Sequence, residues 1–281
     1  MEETFYSLNC GGRLLELRQP QVMGILNVTP DSFFAGSRMG TESEIAVRCA
    51  QIAEEGGTMI DVGAYSSRPG ADDVPVAEEM ERLRLALSVV CREVPGMVVS
   101  VDTFRADVAR MCVEEYGAHI INDISGGSLD RQMFATVAAL GVPYILMHMR
   151  GTPRTMQASP EYDDVVREVF LYLSERVRTL RGMGVKDIIL DPGFGFAKTL
   201  RHNYVLMDRL EDFAEFDLPL LVGVSRKSMI YKLLGGTPED ALNGTTVLNT
   251  LALAKGANIL RVHDVRAAVE AVRIYTEMRT A

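Results

Sequence analysis

Three apolar runs in this chain end in a side chain that can hold a ligand. Val98-Val99-Ser100-Val101 runs into Asp102, His119-Ile120-Ile121 into Asn122, and Ile188-Ile189-Leu190 into Asp191, which opens the turn Asp191-Pro192-Gly193-Phe194-Gly195. A carboxylate so placed can accept paired N–H donors from the amidine-like or guanidine-like edge of a heterocycle, each charge-assisted bond contributing about 1.5–3 kcal/mol. The glycines after Asp191 let a ligand approach backbone closely. Two carboxylates and an amide suit a nitrogen-rich ring better than a bare sugar phosphate. A plainer reading stands beside this one, since Asp102-Thr103-Phe104 and Asn122-Asp123-Ile124 both permit helix capping.

A second set is basic. Arg68 lies in Gly63-Ala64-Tyr65-Ser66-Ser67-Arg68-Pro69-Gly70, between small residues and a Pro-Gly turn. That setting suits bidentate recognition of phosphate or carboxylate, or else a solvated surface turn. Ser225-Arg226-Lys227-Ser228 opens a helix, where a capping serine would be ordinary but two cations oppose the macrodipole. That cost suggests another task for Lys227, and an amide-rich helix start is itself an anion site. In Arg261-Val262-His263 the outer residues face the same way along a strand and can meet one ligand. Asn27 ends the run Val22–Leu26 and leads into Val28-Thr29-Pro30-Asp31-Ser32-Phe33-Phe34, which Pro and Asp also suit as a simple connection. Each stretch alone is ambiguous, but the basic ones together make a phosphate site credible.

These groups need a scaffold that gathers strand ends. The same pattern of an apolar run stopping at a polar residue recurs around Met59–Gly63, Tyr144–His148, Leu220–Ser225 and Asn258–His263, which makes about eight strands. Helical patterns fill the intervals: Glu42–Glu55, ending at Gly56-Gly57, Ala77–Val90, Phe104–Tyr116, Asp130–Leu140, Glu161–Met183, Arg201–Leu210, Arg226–Leu234, Pro238–Gly256 and Val265–Met278. Alternating strand and helix allows an open doubly wound sheet or a closed barrel. Closure is favoured by the number of units, by the lack of G-x-G-x-x-G after the first strand, and by functional-looking residues at nearly every strand end. Thr4 to Leu17 alternates and turns at Cys10-Gly11-Gly12-Arg13, a hairpin expected to cap the lower end of the barrel. The expectation is an α/β protein: one (β/α)8 TIM barrel over residues 1–281, with an N-terminal β-hairpin within residues 1–20.

At 281 residues with 47% hydrophobic content the chain can bury a large core. Its net charge of -9 argues against a general nucleic-acid or anionic-membrane surface, while leaving room for a local basic pocket. Cys10, Cys49, Cys91 and Cys112 lack C-x-x-C spacing, no apolar run approaches the ~20 residues that span a bilayer, and Met1 to Asn9 has no secretory pattern. A reduced, cytoplasmic protein is expected.

The loops N-V-T-P-D-S-F and S-S-R-P-G, followed by V-D-T, I-N-D-I-S-G-G, M-H-M-R-G-T-P, D-P-G-F-G-F-A-K-T, S-R-K-S and R-V-H-D, resemble the dihydropteroate synthases from about Val22 to the C-terminus. Several motifs in fixed order form a strong signal where any one would be weak. Two departures stand out. Ser67 replaces the threonine of S-T-R-P-G and keeps a hydroxyl, and Phe34-Ala35-Gly36-Ser37 replaces the more usual Ser-Asp-Gly-Gly, so that position 35 has no carboxylate and no catalytic role.

The resemblance implies condensation of hydroxymethyl-dihydropterin diphosphate with p-aminobenzoate, a small-molecule reaction with no nucleic-acid or membrane partner. It places Asp102, Asn122, Asp191 and Lys227 on the pterin, and Asn27, Arg68, Arg261 and His263 on the diphosphate, Asn27 through Mg²⁺. Ser228, Phe33 and Pro69 fall to p-aminobenzoate, and Arg68, Lys227 and Asp31 to catalysis. It also implies a homodimer. Two rivals differ in chemistry. A pterin-binding methyltransferase acting on a corrinoid shares the barrel and the Asp–Asn–Asp pattern but needs no diphosphate cluster, and a non-catalytic pterin-binding module needs no anion residues at all.

Overall fold

The chain opens on a two-stranded antiparallel hairpin, β1 (Tyr6–Cys10) and β2 (Arg13–Leu17), in the register Tyr6↔Leu17 to Cys10↔Arg13. Its turn needs positive φ at both central positions, and Gly11 and Gly12 supply 63° and 88°. The structure, a computed structural model, describes residues 5–28, 38–65, 74–152 and 160–281, with side chains from residue 42 onward in the helix that begins at Arg38.

The barrel strands are β3 (Gln21–Asn27), β4 (Met59–Gly63), β5 (Val98–Asp102), β6 (Ile120–Asp123), β7 (Tyr144–Met147), β8 (Ile188–Asp191), β9 (Leu221–Val222) and β10 (Ile259–Val262). All pair in parallel in the order β8-β7-β6-β5-β4-β3-β10-β9, and the bridge Leu190↔Leu220 joins the two outer strands into a ring. The strand expected over Leu220–Ser225 is therefore short. Its last residues leave the sheet because Ser225, Arg226 and the helix after them bond to other elements. Around the ring lie α1 (Arg38–Glu54), α2 (Val76–Glu93), α3 (Ala106–Tyr116), α4 (Met133–Leu140), α5 (Val165–Gly182), α6 (Leu200–Asp208), α7 (Ser228–Leu234), α8 (Leu242–Ala254) and α9 (Val265–Thr280). The expected helix over Pro238–Gly256 divides into a 3-10 turn, Pro238–Ala241, and α8. No helix among the described residues is long and apolar enough to cross a membrane.

Strand periodicity sorts the residues into two cores. Val62, Val101, Ile121, Leu146, Leu190, Val222 and Val262 face outward and pack with the helices. The alternate residues fill the barrel. Its lowest layer takes one apolar side chain from each of the eight strands, namely Met23, Met59, Val98, Ile120, Ile145, Ile189, Leu221 and Ile259, closed below by Leu8, Cys10 and Leu17 of the hairpin. The hairpin is the expected lower cap. Two residues further along the same strands the interior face carries Asp61, Ser100, Asn122, Asp191 and Arg261, and two further again Asn27, Asp102, Ser225 and His263.

Candidate active site at the barrel mouth

The polar layers begin with an ion cluster. Arg261 donates through Nε to Asp61 Oδ2 at 2.6 Å and through Nη2 to Asp102 Oδ2 at 2.9 Å, while Asn122 Nδ2 donates to the same Asp61 oxygen at 3.0 Å. One guanidinium thus ties β10 to β4 and β5, and the amide adds β6. Asp61 and Ser100 are fully buried cross-strand neighbours. Among the described residues Asp61 Oδ1 and Ser100 Oγ find no hydrogen-bond partner, so the floor retains unused polar capacity. Burial pushes the Asp102 carboxyl up to about 7 against the pull of Arg261, with Asp61 adding to the rise.

Asp191 ends β8 on the opposite wall. Its Oδ1 accepts the Gly193 N–H at 2.7 Å. Gly193 has φ 73°, and a Cβ there would stand 2.0 Å from the His148 carbonyl oxygen, so only glycine fits this turn. Lys227 Nζ donates to the Phe194 carbonyl at 2.5 Å and lies 4.7 Å from the Phe196 ring centroid. Burial lowers the Lys227 ammonium to about 8 although Asp191 opposes the fall, and burial raises the Asp191 carboxyl against the pull of Lys227. Between these walls Ile124, Met147, Met149 and Ala197, with Phe104 and Phe196, form an apolar surface suited to the face of a flat ring.

The upper layer is fixed by backbone contacts. Ser225 Oγ accepts the His263 N–H at 3.1 Å and lies 3.2 Å from His263 Nδ1. Arg48 of α1 donates to the carbonyls of His263 at 2.6 Å and Ile25 at 3.2 Å, joining the strands that carry His263 and Asn27. Burial, reinforced by Arg261, lowers His263 to about 4.

Asn27, Asp102, Asn122, Asp191, Lys227, Arg261 and His263, singled out in the sequence, all lie on these interior positions or just beyond them. Ser228 is the first residue of α7, with Lys227 at the N-cap and no side-chain capping bond, so a capping serine is not what opens the helix. Arg226 is no loose cation either. It has φ 55° and a bidentate pair with Asp264 at 2.8 Å for both contacts. Asp102 caps no helix, because the N-cap of α3 is Arg105. Asp31, Phe33, Arg68 and Pro69 lie outside the described residues, as do Ala35 and Ser67. Asp61, Ser225 and Arg48 were not foreseen. For Asp61 the signal was available: an acid between Ile60 and Val62, two residues past a core methionine.

The pterin binding enzyme family profile matches residues 23–263. The chain is 44% identical to the dihydropteroate synthase of Escherichia coli (strain K12) over 94% of its own length and 93% of that protein's. The chain belongs to the dihydropteroate synthase family of pterin binding enzymes. Solved members of that family share its architecture. A Xanthomonas albilineans dihydropteroate synthase with 4-aminobenzoic acid superposes with TM-score 0.92 at 39% identity, covering 99% of this chain and 100% of that one. The same organism's enzyme in complex with 7,8-dihydropteroate gives TM-score 0.87 at 36% identity, covering 98% and 100%.

Proposed function

We propose that this chain condenses hydroxymethyl-dihydropterin diphosphate with p-aminobenzoate to give dihydropteroate and diphosphate, the dihydropteroate synthase reaction of folate biosynthesis. The observation that carries the reading is the polar mouth: two carboxylates, an amide and a lysine beside an apolar wall, on the same two interior levels as Arg261 and His263. Asp191 takes the amino-pyrimidinone edge of the pterin, with Asn122 and Asp102 along the ring and Lys227 at its carbonyl and nitrogen. Arg261, His263 and Arg68 receive the diphosphate. Ser228 and the amides that start α7 receive the p-aminobenzoate carboxylate, beside Phe33 and Pro69.

The residues present fit Mg²⁺ drawn largely from substrate. Among the described residues no three His, Cys, Asp or Glu side chains form a metal cluster. A Cβ on Gly63 would touch Asp102 Cβ at 3.4 Å, Asn27 Oδ1 at 3.6 Å and Asp102 Oδ2 at 3.7 Å, so the Asn27 oxygen opens beside a position that carries no side chain. One neutral protein oxygen suits a hard cation that takes its other ligands from phosphate and water. Asn27 would hold such an ion together with the diphosphate, and it would supply charge neutralisation on the leaving group.

The C–O bond to diphosphate breaks as Arg261, His263 and Arg68 stabilise the departing charge, and the electron-rich dihydropterin ring stabilises the exocyclic carbon. The aryl amine then attacks that carbon and gives up a proton. No protein nucleophile is required. Asp31 and Arg68 exclude water that would otherwise capture the carbon. The chain acts as one catalytic domain in the cytoplasm and as a homodimer, a state supported by the large apolar side chains that Leu233 and Leu234 of α7 and Val247 and Leu251 of α8 leave exposed. Mixing the protein with both substrates and Mg²⁺ should release diphosphate in step with dihydropteroate. A folded protein that released none would remove the reading.

A further inference from the structure

Beneath the Asp191 turn lies a lysine for which the proposed reaction has no use. Lys198 is 3% exposed, and among the described residues no carboxylate stands within ion-pair distance of it. Its Nζ is 2.9 Å from the Gly193 carbonyl, 3.2 Å from the Phe196 carbonyl and 3.0 Å from His148 Nδ1. As an ammonium, Lys198 donates all three bonds and His148 accepts through Nδ1; burial lowers that ammonium to about 7, and the neutral amine keeps both carbonyl bonds while accepting from Nδ1–H instead. The imidazole is itself 1% exposed and sits edge-on to Tyr172, ring centroids 4.7 Å apart.

The turn these bonds hold is unfavourable by itself. Gly193 and Gly195 have φ 73° and 81°, and Ala197, which has a side chain, has φ 49°. Its carbonyls divide between two lysines. Those of Gly193 and Phe196 point down to Lys198, while that of Phe194 points to Lys227 in the mouth. Gly193 is also the residue whose N–H fixes Asp191 Oδ1, and the Phe196 ring is the one beside Lys227 Nζ. Asn203 of α6 adds a bond from the side, accepting the Gly195 N–H at 2.6 Å.

We propose that Lys198, resting on neutral His148, is a positioning residue for the pterin edge: by gripping the Gly193 and Phe196 carbonyls from below it sets the direction of the Asp191 carboxylate and the place of Lys227. The inference rests on the pterin assignment of Asp191. It differs from a general stabilising role because, among the described residues, the turn bonds directly to the two groups assigned to the pterin edge, Asp191 and the Lys227 ammonium, and makes no bond to the Ser228 side chain.

Three variants test it. Lys198→Met keeps the length and apolar stem but loses all three donors. His148→Leu removes the acceptor, and His148→Asn restores an acceptor about where Nδ1 stands. A pterin without diphosphate is titrated calorimetrically, and KM is measured for each substrate. Lys198→Met and His148→Leu should weaken pterin at least tenfold and raise KM for the pterin diphosphate similarly, with KM for p-aminobenzoate within twofold. His148→Asn should bind pterin within threefold of the parent. Folded Lys198→Met with parental pterin affinity would overturn the proposal, as would equal losses for both substrates. Should Lys198→Met fail to fold, equal pterin affinities for His148→Leu and His148→Asn would overturn it equally. The parent protein is the control: absence of pterin binding there would fail the assignment of the site and not the role of Lys198.

Discussion

The same eight strands build two layers with opposite chemistry, only two residues apart. At the hairpin end every strand gives the interior an apolar side chain, and Leu8, Cys10 and Leu17 seal it. One step up, Asp61, Ser100, Asn122, Asp191 and Arg261 take the equivalent positions. The lower layer costs nothing electrostatically and repays burial at about 25 cal/mol per Å². The upper layer and the groups that rest on it carry buried charges that burial opposes, as the raised Asp191 within it and the raised Asp102 and lowered Lys227 just above it record. A barrel that needed only stability would continue the lower pattern upward, and this departure is what supports the proposed ligand site in the polar layer.

The sharpest break in that comparison is Arg261→Met. It leaves Asp61 and Asp102 buried without their shared cation, a loss of about 3–5 kcal/mol in stability for a group so placed. Turnover should fall more than a hundredfold. Thermal melting with steady-state kinetics checks both, and a variant melting like its parent would mean that the carboxylates find another counter-charge. Met59→Ala works the other layer. A fully buried methionine truncated there should cost about 2–5 kcal/mol. Its kcat should stay within twofold, since the cavity lies below the ion cluster. A large fall in kcat without loss of stability would erase the distinction between the layers.

A smaller effect follows from pH. With Asp102 raised to about 7 and Lys227 lowered to about 8, kcat/KM for the pterin substrate should rise as pH passes 7 and fall beyond 8. The two limbs belong to the cluster as a whole, because its members interact. Asp102→Asn should lose the acid limb. The sign for stability is opposite. Between the usual aspartate range and 7 the folded protein keeps a proton that the unfolded chain has released, so this group makes stability decline as pH rises through that window. A flat kcat/KM profile from pH 6 to 9 would detach both residues from the pterin step.

Most of the scaffold was legible because strand and helix periods differ and polar residues punctuate the strands. Asp102, Asn122 and Asp191 stood out as run-ending polar residues, and Gly11-Gly12 announced the hairpin turn. What the sequence hid was long-range pairing. Asp61 looked like a residue inside a strand until Arg261, which lies beside it, was placed by closure of the ring. Arg226 read as a cation misplaced at a helix start, although Asp264 neutralises it from after the last strand. Lys198 lay in plain sight within G-F-G-F-A-K-T, but only the fold shows that its ammonium turns inward to carbonyls. The β9 strand shortened because its polar residues leave the sheet to bond across the mouth.

The claim that the upper layer is a pterin site is tested most directly at Asp191. Calorimetric titration of Asp191→Asn with a pterin lacking diphosphate, alongside its melting curve, separates recognition from folding. An amide cannot offer a charged acceptor to two N–H donors, so affinity should fall more than tenfold while the melting temperature stays near that of the parent. Parental affinity in the folded variant would contradict the assignment.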